Sequence, residues 1–152
     1  MPKLILSILS LLVVALLIGC GGANDTYSPT FQGPAGPSFR LAAAPPSNTV
    51  TPGQSASYTV TATSIAGFDS SVDFGISGLP AGTTATFNPA SVVPSSGGTN
   101  TTLTVTTSGS GNPTPAGTYT LTITATGGNI TRQTTVSLVV SAGAGGLNGT
   151  IQ

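Results

Sequence analysis

Between residues 118 and 126, Tyr119, Leu121, Ile123 and Ala125 alternate strictly with five threonines. A period of two cannot serve a helix, because helical neighbours on one face lie three or four residues apart. It suits a β-strand with one face buried and one wet. The same alternation recurs along the chain. Residues 38–42 alternate around Phe39 and Leu41, and residues 57–63 place Tyr58, Val60 and Ala62 on one face. Residues 71–77 do so with Val72, Phe74 and Ile76, and residues 84–87 form a short run ending in Phe87. Residues 101–107 turn Leu103 and Val105 inward, and residues 134–140 turn Val136, Leu138 and Val140 inward.

Turn chemistry separates these runs. Thr51-Pro52-Gly53-Gln54 is a turn, Gly78-Leu79-Pro80-Ala81-Gly82 breaks the chain, and Asn88-Pro89 closes the strand before it. No segment after residue 20 has helical spacing. About seven short strands in roughly 100 residues predict an all-β, antiparallel β-sandwich. Threonine suits the outer faces, since its branched side chain fits a pleated surface and its hydroxyl meets water. The inward set makes one small core, each buried Leu, Ile or Phe contributing about 1.5–3 kcal/mol.

Composition narrows the chemistry. Of 152 residues only three are basic (Lys3, Arg40, Arg132) and three acidic (Asp25, Asp69, Asp73), with no Glu and no His. Without His there is no ordinary Ser/His triad and no imidazole metal ligand. A single cysteine, Cys20, allows no internal disulfide and no thiolate zinc site. Nucleic-acid binding needs clustered Lys and Arg, which are absent. The expectation is a protein that is not an enzyme, with no catalytic residues, no cofactor-binding residues, no metal site and no nucleic-acid partner.

The stretch from Gly78-Leu79-Pro80-Ala81-Gly82 through Pro115-Ala116-Gly117-Thr118-Tyr119 to Val140 resembles the bacterial immunoglobulin-like modules of secreted and surface proteins. The resemblance covers residues 38–141. In immunoglobulin-type sandwiches a Tyr opening the penultimate strand bonds back across the corner, two residues before the second core Cys. Tyr119 has that place, and Leu121 stands where the Cys would be. The Cys pair and the Trp of antibody domains are missing, so the resemblance implies the sandwich and not antibody-type binding loops. The alternative for Tyr119 is a plain core aromatic.

The amino terminus points to an address. Met1-Pro2-Lys3 carries one side-chain charge, and residues 4–18 are apolar except for Ser7 and Ser10. That run is shorter than the about 20 residues a spanning helix needs, and it fits a cleaved signal peptide. It ends in Leu17-Ile18-Gly19-Cys20, which resembles the lipobox of bacterial lipoproteins. The resemblance implies cleavage before Cys20 and lipidation of its thiol by diacylglyceryl and palmitate-type chains. Two or three chains hold a protein stably at a membrane where one does not. The alternative is an ordinary secretory signal with a chance cysteine near its end. In that family the residue after the Cys influences sorting, and Gly21, not Asp, asks for no inner-membrane retention.

The expected organisation is a signal peptide over 1–19, a lipidated Cys20 with a Gly/Pro-rich linker over 20–37, the sandwich over 38–141 and a tail over 142–152. The expected function is that of a lipid-anchored cell-envelope protein showing an immunoglobulin-like module for structural or protein-interaction roles. Its place would be the outer membrane or the periplasm-facing leaflet, or the cell surface. Its partners would be the membrane, through Cys20, and a surface protein or a polysaccharide. The alternatives are a glycan- or cell-wall-binding module and an accessory subunit of an extracellular enzyme system. An aromatic-lined loop cluster would favour the glycan reading, and a bare hydrophobic edge strand or patch the interaction or the accessory-subunit reading.

Two weaker signals complete the sequence. Asp69 and Asp73 lie four apart near a strand start, and paired carboxylates can bind Ca²⁺ or exchange protons. Two ligands are too few for calcium, and Asp73 is expected to point outward. Asn100-Thr101-Thr102, Asn129-Ile130-Thr131 and Asn148-Gly149-Thr150 match glycosylation acceptors, but a bacterial lipobox argues against that use and a Thr-rich chain yields such matches by chance.

Overall fold

The alternating segments fold as nine strands in two sheets, seen in a computed structural model that describes residues 36–142. The strands are β1 (Ser38–Ala44), β2 (Ser47–Val50), β3 (Ser55–Ile65), β4 (Val72–Ser77), β5 (Thr83–Asn88), β6 (Ser91–Val92), β7 (Thr99–Thr107), β8 (Gly117–Gly127) and β9 (Ile130–Val140). No described residue is helical. One sheet has the order β1-β3-β7-β5 and the other β2-β9-β8-β4-β6. With β1, β3, β4, β5, β7, β8 and β9 as strands A to G, this is the ABED and CFG division of an immunoglobulin-type sandwich.

The seven strands expected from the alternation are all present, and two are added. The first strand divides at Pro45-Pro46, where proline supplies no N–H to continue the ladder. Before the prolines, β1 pairs antiparallel with β3; after them, β2 pairs parallel with β9. The Pro46 carbonyl accepts from the Ser137 N–H at 2.8 Å as the chain changes sheets. The expectation of a wholly antiparallel fold is corrected at that strand. The second addition, β6, is two residues long and pairs with the start of β4. Neither segment is long enough to show a period.

The core lies where the predicted faces put it. Tyr58, Val60, Leu103, Val105, Leu121, Ile123, Val136, Leu138 and Val140 form one buried cluster between the sheets. A second cluster joins Phe39, Phe68, Val72 and Ala125, with the Phe39 and Phe68 rings 5.1 Å apart. Three threonines depart from the outward rule: Thr101, Thr107 and Thr114 are buried. Each hydroxyl is bonded. Thr101 donates to the Pro89 carbonyl. Thr107 donates to Gln54 O at 2.7 Å and accepts from the Gly53 N–H at 3.0 Å. Thr114 donates to Gly82 O at 3.0 Å and accepts from the Ser108 N–H at 3.0 Å. No buried side-chain polar atom among the described residues lacks a partner.

The register gives the sandwich two poles. The chain enters at Ser38, beside the connections 66–71 and 128–129. The connections 51–54, 78–82 and 108–116 gather at the other pole, where β9 ends. Residues 51–54 make a turn closed by a 3.0 Å bond from Gln54 N to Thr51 O. Pro52 occupies the second place, and Gly53, at φ 90°, takes the third, which a type II turn reserves for glycine.

Candidate functional site

All four charged side chains of the described residues lie in the half of the sandwich where the chain enters. Arg40 and Asp73 are exposed on β1 and β4, and Asp69 is exposed in the 66–71 connection. Arg132, on β9, donates from Nε to Phe39 O at 3.0 Å and from Nη2 to Ser38 Oγ at 2.8 Å. It therefore stitches β9 to β1 across the two sheets. Asp73 stands on the outer face of its sheet, opposite Thr126 on one side and Ser91 on the other. Among the described residues no three of His, Cys, Asp and Glu come together to hold a metal. Asn100 is exposed, and its Oδ1 accepts from Thr61 Oγ1 at 2.7 Å. Asn129 is exposed in the β8–β9 turn. Cys20, Asp25 and Asn148 lie outside the described residues.

The aromatic rings are committed to the interior. Every described Phe and Tyr is buried or half-buried. Tyr58 donates its hydroxyl to Ser137 O at 2.8 Å, and burial pushes its phenol above the ordinary value. Tyr119 donates to Pro115 O at 2.9 Å. That is the corner bond expected from its place at the head of β8, four residues after the acceptor. Tyr119→Phe should lower stability by about 0.5–1.5 kcal/mol, toward the small end because the bond is exposed. Urea unfolding measures it, and an unchanged midpoint would reduce Tyr119 to core filling. The loops at the far pole carry no aromatic side chain. A shallow depression there is lined by Thr49, Val50, Thr51, Gln54, Ser55 and Ser141, all uncharged.

What the surface does offer is a hydroxyl face and an open edge. On the β1-β3-β7-β5 sheet the outward residues fall into rows across strands: Thr84, Thr106 and Ser55; Thr86, Thr104 and Ser57; Asn88, Thr102 and Thr59. Neighbouring strands are about 4.8 Å apart, so the hydroxyls form a ladder without charge. The two sides of the sandwich differ. On the β1 side, Arg132 binds β1 to β9, and Asn48 Nδ2 on β2 donates to Ser57 O on β3 at 2.7 Å. On the other side, β5 pairs only with β7 among the described residues, and no described strand lies beside its outer edge. Behind that edge the Phe87 ring of β5 stacks on Phe74 of β4, centroids 5.4 Å apart, both half-buried.

Residues 41–142, about two thirds of the chain, match the model of a family of unknown function, DUF5980. The chain belongs to that family. The DUF5980 match begins inside β1 and ends just past β9, so it takes in nearly the whole sandwich. No curated protein matches the chain. Among solved structures, it is similar to domains 4 and 5 of the S-layer protein SbsC, at 20% identity and a TM-score of 0.49, over 70% of this chain and 54% of that one. It is also similar to SbsC domains 1–6, at 23% identity and a TM-score of 0.48, over 70% of this chain and 13% of that one. The chain thus spans about half of the shorter fragment and a small part of the longer.

Proposed function

We propose that this protein is a lipid-anchored, non-enzymatic component of the cell envelope that displays one immunoglobulin-like DUF5980 sandwich for structural or protein-interaction purposes. The observation that carries the proposal is the order of parts: a lipobox-like Leu17-Ile18-Gly19-Cys20, a Gly/Pro-rich leash, then a sandwich entered at one pole.

Two surface features favour protein contact over glycan binding. Sugar sites commonly rest on exposed aromatic platforms, whereas the described rings are spent on the core and the corner. An unpaired strand edge, by contrast, supplies main-chain donors and acceptors ready for another strand.

Cys20→Ala tests the anchor. With lipidation removed, the protein should leave the membrane fraction or accumulate as an uncut precursor, read by fractionation and by the mass of the mature chain. Unaltered anchoring and processing would defeat the proposal. A mature chain carrying the mass of added acyl groups on Cys20 is the positive result.

A further inference from the structure

We propose that β5 is a self-pairing edge, through which two copies of this chain join antiparallel, β5 to β5, into one continuous eight-stranded sheet. The inference uses only the folded residues and stands apart from lipid anchoring.

Among the described residues, β5 is the one sheet-ending strand left open over its full length. β1 is tied to β9 by Arg132, β2 is tied toward β3 by Asn48, and β6 has only two residues. Native sheets guard such edges with lysine, proline, inward charge or a bulge. β5 has none of these. Its residues are Thr83, Thr84, Ala85, Thr86, Phe87 and Asn88, and its register with β7 is unbroken from Thr83 opposite Thr107 to Asn88 opposite Thr102.

The occupant that fits is a second copy. Opposed residues in an antiparallel pair share a face. With Thr86 opposite its own copy, Thr84 faces Asn88 and Ala85 faces Phe87. The exposed polar residues then meet on the wet face, and a small side chain meets a large one on the core face. The Phe74–Phe87 stack, half-buried in the sandwich, gains further cover from the second copy. Charge does not oppose association, because Arg40 and Arg132 balance Asp69 and Asp73 and none of them stands on β5. A protein near zero net charge lacks the repulsion that keeps copies apart.

The test is cross-linking of the purified full-length chain in detergent, in a Cys20→Ser background so that an introduced thiol is unique. Thr86→Cys is treated with a short bismaleimide and compared with Thr59→Cys, which is also exposed on the same face but lies on the central strand β3. Thr86→Cys should give severalfold more covalent dimer than Thr59→Cys. Adding Thr84→Lys should suppress that dimer while the chain keeps its β-sheet circular dichroism spectrum, since a lysine on an exposed edge resists strand pairing. Equal yields from the two positions, or a dimer indifferent to Thr84→Lys, would overturn the proposal.

Discussion

Gly78→Ala should destabilise the domain by about 2–5 kcal/mol, from two costs that act together. Gly78 follows β4 at φ 84°, a left-handed conformation that a Cβ makes unfavourable by about 1–2 kcal/mol. The added Cβ would also run into the Thr120 carbonyl oxygen. That oxygen belongs to the backbone of β8, which is held between β4 and β9 and has little room to yield. Overpacking of this kind costs typically about 1–3 kcal/mol. Gly75→Ala is the matched control. Gly75 lies within β4 at an ordinary φ, and its Cβ would meet nothing within 4 Å. There alanine should be neutral or mildly stabilising, by up to about 1 kcal/mol, because it removes the backbone freedom of glycine in the unfolded chain. Urea unfolding of both variants decides the matter: similar midpoints would mean that the close approach of Gly78 to Thr120 is not what holds the β4–β5 corner.

Leu121→Ala should cost about 2–5 kcal/mol, the range for emptying a fully enclosed leucine site. Leu121 has no exposed surface and lies in the main core cluster, opposite Val136 on the neighbouring strand. Its strand is flanked by β9 and β4, so the sheet cannot close easily over the void. For a domain of this size each kcal/mol lowers Tm by roughly 4–8 °C, which calorimetry resolves readily. Val93→Ala removes apolar atoms from a side chain that is 53% exposed. It should stay within about 0.5 kcal/mol of the parent. If both substitutions cost the same, burial at position 121 is not the source of its effect.

The candidate sites were legible to different degrees. The corner role of Tyr119 follows from its distance to the turn before it, which is local. The outward direction of Asp73 follows from its parity in β4. The burial of Thr107 and Thr114 was not anticipated. Thr107 shares the parity of Leu103 and Val105, which could have signalled it, but a hydroxyl goes inside only where loop carbonyls stand ready. Those carbonyls come from Gln54 and Gly82, far away in the chain. Phe68 carried no pattern either. It is a single apolar residue between Gly67 and Asp69, and it becomes core only because Phe39 and Val72 reach it.

The sequence by itself determined the all-β class, the seven main strands, the face that six of them bury and the turn at residues 51–54. All of these rest on spacings of a few residues, where a period of two or a Pro-Gly pair states the local geometry directly. Only the tertiary structure decided that the first strand changes sheets at Pro45-Pro46 and runs parallel to β9. Only it decided that Arg132 closes one side of the sandwich by reaching a carbonyl 93 positions away, and that β5 is left open on the other side. The reason is physical. Periodicity says which face of a strand seeks the core, but main-chain hydrogen bonding at an edge is common to every residue and leaves no mark in the side chains. Which edges are filled is settled by how the two sheets stack.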